Sequence, residues 1–78
     1  MDERLLQRIT VDKNVRNGKP VIRNMRFTVS EILDMLASGM SKEEITHDYP
    51  YIEPDDIDAC ILYASKVLNN ETDQLVVP

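Results

Sequence analysis

The chain has few of the residues that cross-link or metallate small domains, with one cysteine and one histidine in 78 positions. One cysteine cannot form an internal disulfide, and with a single histidine it cannot complete a structural zinc site. The sequence also lacks a glycine-rich phosphate loop and a Gly-x-Ser-x-Gly nucleophile elbow. Because His47 and Cys60 have no partners for a catalytic set, we expect no catalytic residue, metal, cofactor or small-molecule substrate. The sequence therefore indicates a protein that is not an enzyme.

Long apolar runs are also missing. The longest spans 59–64, whereas a helix needs about 20 apolar residues to cross a bilayer. Asp2 and Glu3 stand where a secretory leader has Lys or Arg, so we expect a cytoplasmic protein without membrane association. The length fits one domain over 1–78. The core of so small a domain rarely supplies more than ~3–5 kcal/mol, which favours a partner chain.

Charge is distributed unevenly along the sequence. The first 26 residues carry a net charge of +4 and the remainder −9, which gives the formal −5 of the whole chain. A basic front and an acidic back indicate either a nucleic-acid face or a contact with a protein of complementary charge. Head-to-tail self-association and a merely solvated surface are the alternatives at this point.

The first third of the chain has the pattern of short strands. Residues 9–11 alternate apolar and polar, which predicts a half-buried strand. Residues 21–23 and 26–28 flank Asn24-Met25, so we expect a hairpin with these two residues at the centre of its turn. Asparagine is second to glycine in tolerating the positive φ that such a turn requires.

The pattern then changes to helical spacing. Thr28 with Glu31, and Ser41 with Glu44, have the form of capping boxes and predict the starts of two helices. Pro54 suits the first position of a third helix, which we expect to end at 69–70. The predicted fold is mainly α with a small β element. It has a short N-terminal strand and a β-hairpin, followed by a three-helix, helix-turn-helix-like core of the winged or homeodomain-like kind.

The third helix carries apolar residues on more than one face. Its predicted core stripe comprises Ile57, Cys60, Ile61, Ala64, Val67 and Leu68. Ala59 and Leu62 lie on the opposite, otherwise polar side, with Tyr63 at the margin. An apolar tail follows at Leu75, Val76 and Val77. A second apolar face on so small a protein predicts a homodimer or partner contact at Ala59, Leu62, Tyr63, Leu75, Val76 and Val77.

A set of cations on and near the hairpin forms the candidate nucleic-acid surface: Arg16, Lys19, Arg23 and Arg26. Cations on a hairpin wing hold phosphates and supply affinity more than sequence specificity. The third helix opens with three carboxylates within 55–58, which phosphates repel. Any DNA contact is therefore predicted to use the hairpin and not the start of this helix.

Several segments in order resemble one small bacterial and archaeal family, the domain of unknown function 433. They are ITVD at 9–12, GKPVIR at 18–23, Arg26, SEILDMLASG at 30–39, DYPYI at 48–52 and DIDACILYA at 56–64. The family-like core is 6–69, with a C-terminal tail at 70–78. Where the family usually has Gly-Thr before the arginine, this chain has Asn24-Met25, and we expect the turn to survive with some strain.

The resemblance implies a compact helix-turn-helix-like domain that acts as an antitoxin. Members are often encoded beside a toxin that resembles the PIN ribonucleases. It thus implies a dimeric, non-enzymatic protein that binds a PIN-like toxin and its own operator DNA. The alternative is a dimeric protein-interaction module that does not bind DNA, which the acidic rear half favours.

Overall fold

A computed structural model describes the backbone of residues 2–75 and the side chains of residues 2–70. The described chain is mainly helical with a small two-stranded antiparallel sheet, which confirms the predicted fold class. It begins with a 3-10 helix that the sequence did not predict. The elements in order are the 3-10 helix Glu3–Arg8, β1 Ile9–Thr10, a 3-10 turn Arg16–Gly18, β2 Val21–Ile22, α1 Val29–Ala37, α2 Lys42–Asp48 and α3 Pro54–Leu75.

The sheet joins the N-terminal segment to the hairpin. β1 and β2 are antiparallel, with Ile9 opposite Ile22. A single bridge between Val21 and Thr28 closes the hairpin. The predicted turn centre at Asn24-Met25 is wrong by one residue, because the left-handed pair is Arg23 (φ 44°) and Asn24 (φ 58°). Asn24 adopts the left-handed backbone expected of it, so the hairpin forms without the glycine that the family usually has there.

Both predicted capping boxes are confirmed. Thr28 Oγ1 accepts from the Glu31 N–H, and the Glu31 carboxylate accepts from the Thr28 N–H. Ser41 and Glu44 make the same two reciprocal bonds at the start of α2. Each box satisfies backbone donors that the first helical turn would otherwise leave free. Gly39, with φ of 101°, follows the end of α1, where a left-handed glycine commonly ends a helix.

The third helix begins at Pro54 as predicted but does not end at 69–70. It continues through both asparagines to Leu75. Asparagine costs a fraction of a kcal/mol inside a helix relative to alanine, and no glycine follows to stop the helix. Leu75 of the predicted tail is therefore the last residue of α3, whereas Val76 and Val77 lie outside the described residues.

The core lies where α1, α2 and the first half of α3 meet β2. Its fully or nearly fully buried members are Ile22, Val29, Ile32, Ile45, Ile52, Ile57 and Cys60. Three aromatic rings, Phe27, Tyr49 and Tyr51, pack edge to face or tilted at one margin, with centroids 5.2–6.3 Å apart. Among the residues that the structure describes, no helix has the length and apolarity to span a membrane.

Candidate functional site

One carboxylate, that of Asp56 in the first turn of α3, organises the most polar part of the interior. Its side chain is 0 % exposed. Oδ1 accepts from Arg8 at 3.0 Å and from Arg23 Nε at 3.1 Å, and Oδ2 accepts from Arg23 at 2.8 Å. Oδ2 also accepts from the Glu53 backbone N–H at 2.8 Å. These four bonds define what we call the Asp56 centre, and they satisfy a buried charge that would otherwise be very costly.

Local structure explains why these groups converge. Glu53 precedes α3, and Asp56 three residues later reaches back to its N–H, which is half of a capping box. Arg8 ends the N-terminal 3-10 helix and also pairs with the Glu53 carboxylate at 2.5 Å. Arg23 takes a left-handed backbone, which is unusual for a long side chain. Its N–H donates to the Arg8 carbonyl at 2.7 Å and its guanidinium to the Tyr51 carbonyl at 2.8 Å, so the surrounding structure holds the conformation.

The electrostatics of the Asp56 centre favour the ionised carboxylate. Burial by itself raises the pKa of Asp56, but the bonds from Arg23, the Glu53 N–H and Arg8 outweigh burial and leave the pKa below its ordinary value. Arg8 and Arg23 respond in the opposite direction, because hydrogen bonds to Glu53 and Asp56 raise the pKa of the Arg8 guanidinium, and hydrogen bonds to Asp56 raise that of Arg23. Both arginines are therefore charged, and both pair with carboxylates of the same chain.

An open cleft of about 640 Å³ lies beside the Asp56 centre. Three arginines and three carboxylates line it: Arg4, Arg8, Arg23, Asp2, Glu53 and Asp55. Arg4 pairs with Asp2 at 2.6 Å, and Arg8 lies 3.6 Å from Asp55. Because the charges neutralise one another within the cleft, it offers no surplus of positive charge to an anion.

The four predicted nucleic-acid contacts do not form one cationic surface. Arg23 belongs to the Asp56 centre, and Arg16 pairs with Glu31 at 2.8 Å. Lys19 and Arg26 are exposed and make no ion pair with another side chain among residues 2–70. The charge asymmetry of the sequence is thus compensated in part inside the fold, since Arg8, Arg16 and Arg23 pair with acids that follow Phe27.

The predicted second face of α3 is occupied by the protein's own N-terminus. Ala59 is 0 % exposed, so its predicted surface position is wrong. The N-terminal 3-10 helix packs on α3, and Glu3 pairs with Lys66 at 2.7 Å. Ala59, Leu62 and Lys66 follow one another at helical spacing, so this contact places the 3-10 helix on their face. Leu62 is partly buried as a result.

Part of the apolar surface that remains open belongs to the predicted core stripe. Val67 and Leu68 are 37 % and 59 % exposed, because the second half of α3 extends past the core. With Tyr63 and Ala64 they face Val29 and Leu33 of α1 across a groove of about 330 Å³, which Lys19 and Pro20 also line. We call this surface the apolar groove. Of the three predicted contact residues whose side chains lie within the described part of the chain, Ala59, Leu62 and Tyr63, Tyr63 lines it.

His47 and Cys60 are not brought together. The imidazole is 89 % exposed, and its Nδ1 lies 3.4 Å from the neighbouring Asp48 carboxylate. Cys60 is buried in the core. Burial raises the pKa of its thiol to about 12, and the nearby Asp56 carboxylate adds to the rise. A thiol with that pKa is protonated at neutral pH and is a poor nucleophile.

The fold and site define a small helical domain. In it, Arg8 of the N-terminal segment and Arg23 of the hairpin are joined to the start of α3 through the buried Asp56 carboxylate. The chain belongs to the family described as protein of unknown function (DUF433), whose model matches residues 9–64, more than half of the chain. Neither a curated protein nor a solved structure matches it. The matched range includes Arg23 and Asp56, whereas Arg8 precedes it and Leu68 follows it. The resemblance read from the sequence is confirmed.

Proposed function

We propose that this protein is a non-enzymatic, antitoxin-like binding protein, and that its apolar groove receives an apolar segment of a PIN-like toxin. The observation that carries the proposal is the exposure of Val67 and Leu68 beside Tyr63 and Leu33, in a groove of about 330 Å³. Sites that hold a partner's anchoring side chains are concave and mainly apolar. The family's frequent position beside PIN-like toxins supplies the class of partner.

Charge supports the same partner. A ribonuclease must present cations to the phosphates of its substrate, so its binding surface is basic. The present chain has a formal net charge of −5, and the part after Phe27 carries −9. An acidic binding protein therefore matches a nuclease surface and competes with RNA for it. If both charge attraction and apolar contact hold the toxin, binding should weaken as salt rises. It should not vanish, because burial of apolar surface persists at high salt.

The direct test is co-expression with a PIN-like toxin from the same host, followed by capture of the tagged toxin. We expect the two proteins to co-purify, and Leu68→Asp to abolish capture because it places an unpaired charge in the groove. Val11→Asp is the matched control, since Val11 is 62 % exposed and does not line the groove. Equal capture of both variants, or no capture of the wild-type protein, would contradict the proposal.

Operator binding would require the predicted cations Arg16, Lys19, Arg23 and Arg26 to contact DNA phosphates. Two of them, Lys19 and Arg26, are exposed, whereas Arg16 and Arg23 are held by Glu31 and Asp56. This pairing favours the alternative of a protein-interaction module that does not bind DNA. Mobility-shift titrations of the native upstream DNA at two salt concentrations separate the two functions. A shift that Lys19→Ala with Arg26→Ala removes supports operator binding, and no shift at low salt supports the alternative.

A further inference from the structure

The N-terminal arm, defined as residues 2–10, is held almost entirely by the body of the protein. Glu3 pairs with Lys66 on α3 at 2.7 Å. Arg8 pairs with Asp56 at 3.0 Å, and its carbonyl accepts from the Arg23 N–H at 2.7 Å. β1 completes the attachment by pairing with β2. These contacts fix the position of the arm. The body of a second copy of the chain has the same surface and could make the same contacts with it.

The arm has little stability of its own. Its six-residue 3-10 helix contains no fully buried residue, and 3-10 helices longer than three or four residues are uncommon because their hydrogen bonds are poorly aligned. On the body, Ala59 is 0 % exposed and lies at helical spacing from Lys66, which pairs with Glu3 of the arm. The arm therefore depends on the body, while the body needs some arm to cover the Ala59 and Leu62 face of α3.

The segment that connects arm and body is strained. Residues 11–20 lead from β1 to β2, and three successive residues within them have left-handed backbones: Arg16 (φ 49°), Asn17 (φ 59°) and Gly18 (φ 81°). The left-handed conformation is unfavourable for arginine, and less so for asparagine. Pairing of Thr10 with Val21 forces the segment to fold back, whereas ten extended residues span about 33 Å. Straightening this hinge would release the strain.

Some contacts inside the hinge oppose its opening. The Arg16 guanidinium donates to the Arg26 carbonyl at 2.8 Å and pairs with Glu31 at 2.8 Å. The Val15 N–H donates to the Asp12 carbonyl at 2.8 Å. The closed hinge thus has both strain and stabilising contacts, and protein concentration favours opening because an open arm must find a second body.

We propose that two copies of this chain exchange their N-terminal arms, so that each arm covers the Ala59 and Leu62 face of the other copy. The dimer keeps every contact between arm and body and differs from the monomer in its hinges. It also supplies the partner chain that the second face of α3 led us to expect. The exchange leaves the apolar groove unused, so it is independent of the proposed toxin contact.

Complementation between two charge-reversal variants tests the exchange. In Glu3→Lys and in Lys66→Glu, the arm and the body repel each other both in the closed monomer and in the variant's own exchanged dimer, so neither variant alone should dimerise more than the wild-type protein. In a mixed arm-exchanged dimer, Lys at 3 meets Glu at 66 and the unchanged Glu3 meets the unchanged Lys66. One to one mixtures, with a C-terminal tag on one variant, should contain more dimer than either variant alone and give mixed dimers above the one-half expected at random.

Light scattering and tag capture read out this experiment, and circular dichroism confirms that both exposed-site variants fold. A mixture that behaves as the sum of its two components would overturn the exchange. So would a wild-type protein that stays monomeric at hundreds of micromolar, or a dimer that Leu68→Asp disrupts while the two charge-reversal variants pair at random in the mixture. The last result would assign the dimer to the apolar groove instead.

The hinge provides a second test with a matched control. Asn17→Val introduces a β-branched residue where φ is 59°, which favours an open hinge in each of two chains and should lower the dimer dissociation constant about 30-fold. Asn24→Val places the same residue at φ 58° outside the hinge and should leave that constant unchanged. Equal effects of the two substitutions on dimerisation would contradict the role of the hinge.

Discussion

The two ends of α3 differ in burial and in polarity. At its first turn, the fully buried Asp56 carboxylate takes hydrogen bonds from Arg8 and Arg23, which come from distant parts of the sequence. Towards its other end, Val67 and Leu68 remain 37 % and 59 % exposed over the apolar groove. The first end fixes the geometry of the domain, while the second leaves apolar surface available.

The comparison teaches where stability and binding reside in a domain of this size. A buried ion pair adds little net free energy relative to apolar packing, but removing one of its members is costly and its bond directions are specific. Exposed leucine and valine add little to folding, yet they can be buried by a partner. Substitutions at the Asp56 end should therefore change unfolding, and substitutions at the groove should change binding.

The largest effect is expected from Asp56→Asn. The amide cannot compensate two guanidinium groups, so the variant leaves positive charge unpaired beside the core. Because Arg8 and Arg23 are 29 % and 38 % exposed, water moderates the loss, and we expect unfolding free energy to fall by about 3 kcal/mol. Urea unfolding followed by circular dichroism measures it.

The neighbouring Asp55 is the control for that substitution. It lies 3.6 Å from Arg8 but is 63 % exposed, so Asp55→Asn should change unfolding free energy by less than about 0.5 kcal/mol. Similar losses in both variants would show that the first turn of α3 responds to net charge, and that the Asp56 centre has no special role.

A smaller effect is expected in acid. The pKa of Asp56 in the folded protein lies below its ordinary value, so the folded state favours the ionised carboxylate. Its contribution to stability is present above the unfolded pKa of about 3.9 and is lost as pH falls through the folded pKa. The wild-type protein should therefore lose its advantage over Asp56→Asn below about pH 4. Urea midpoints at pH 7, 4 and 3 test this, and a constant difference would be the contrary result.

The smallest effect on folding is expected at the groove. Leu68→Ala removes a side chain that is 59 % exposed, and unfolding free energy should stay within about 0.5 kcal/mol. Ile57→Ala, on the same helix but fully buried, should cost about 2–5 kcal/mol. A loss at Leu68 that approaches the loss at Ile57 would mean that the distal half of α3 belongs to the folding core.

Local signals in the sequence predicted the helical part of the fold well. The capping boxes at Thr28 and Ser41 depend on residues three apart, so they can be recognised without tertiary information. Pro54 likewise marked the start of α3. The hairpin was predicted one residue out of register, because both Arg23 and Asn24 adopt positive φ and arginine gives no warning of it.

The candidate site was harder to predict because its members are far apart in sequence. In the sequence, Asp56 is one of three carboxylates at the start of the third helix, and its contacts with Arg8 and Arg23 span 48 and 33 positions. The signal that was available is the spacing of Glu53 and Asp56 across the start of α3. A helical wheel could not show that an unpredicted 3-10 helix covers Ala59, or that the core ends before Val67.

The distribution of tyrosines gives the molecule two optical reporters. The chain has no tryptophan and three tyrosines, so its emission and near-ultraviolet dichroism arise mainly from Tyr49, Tyr51 and Tyr63. The first two belong to the aromatic cluster with Phe27, whereas Tyr63 lines the apolar groove. In a Tyr63→Phe background the signal reports on the cluster, and the difference from the wild-type protein reports on the groove. Occupation of the groove can thus be followed by fluorescence without any attached dye.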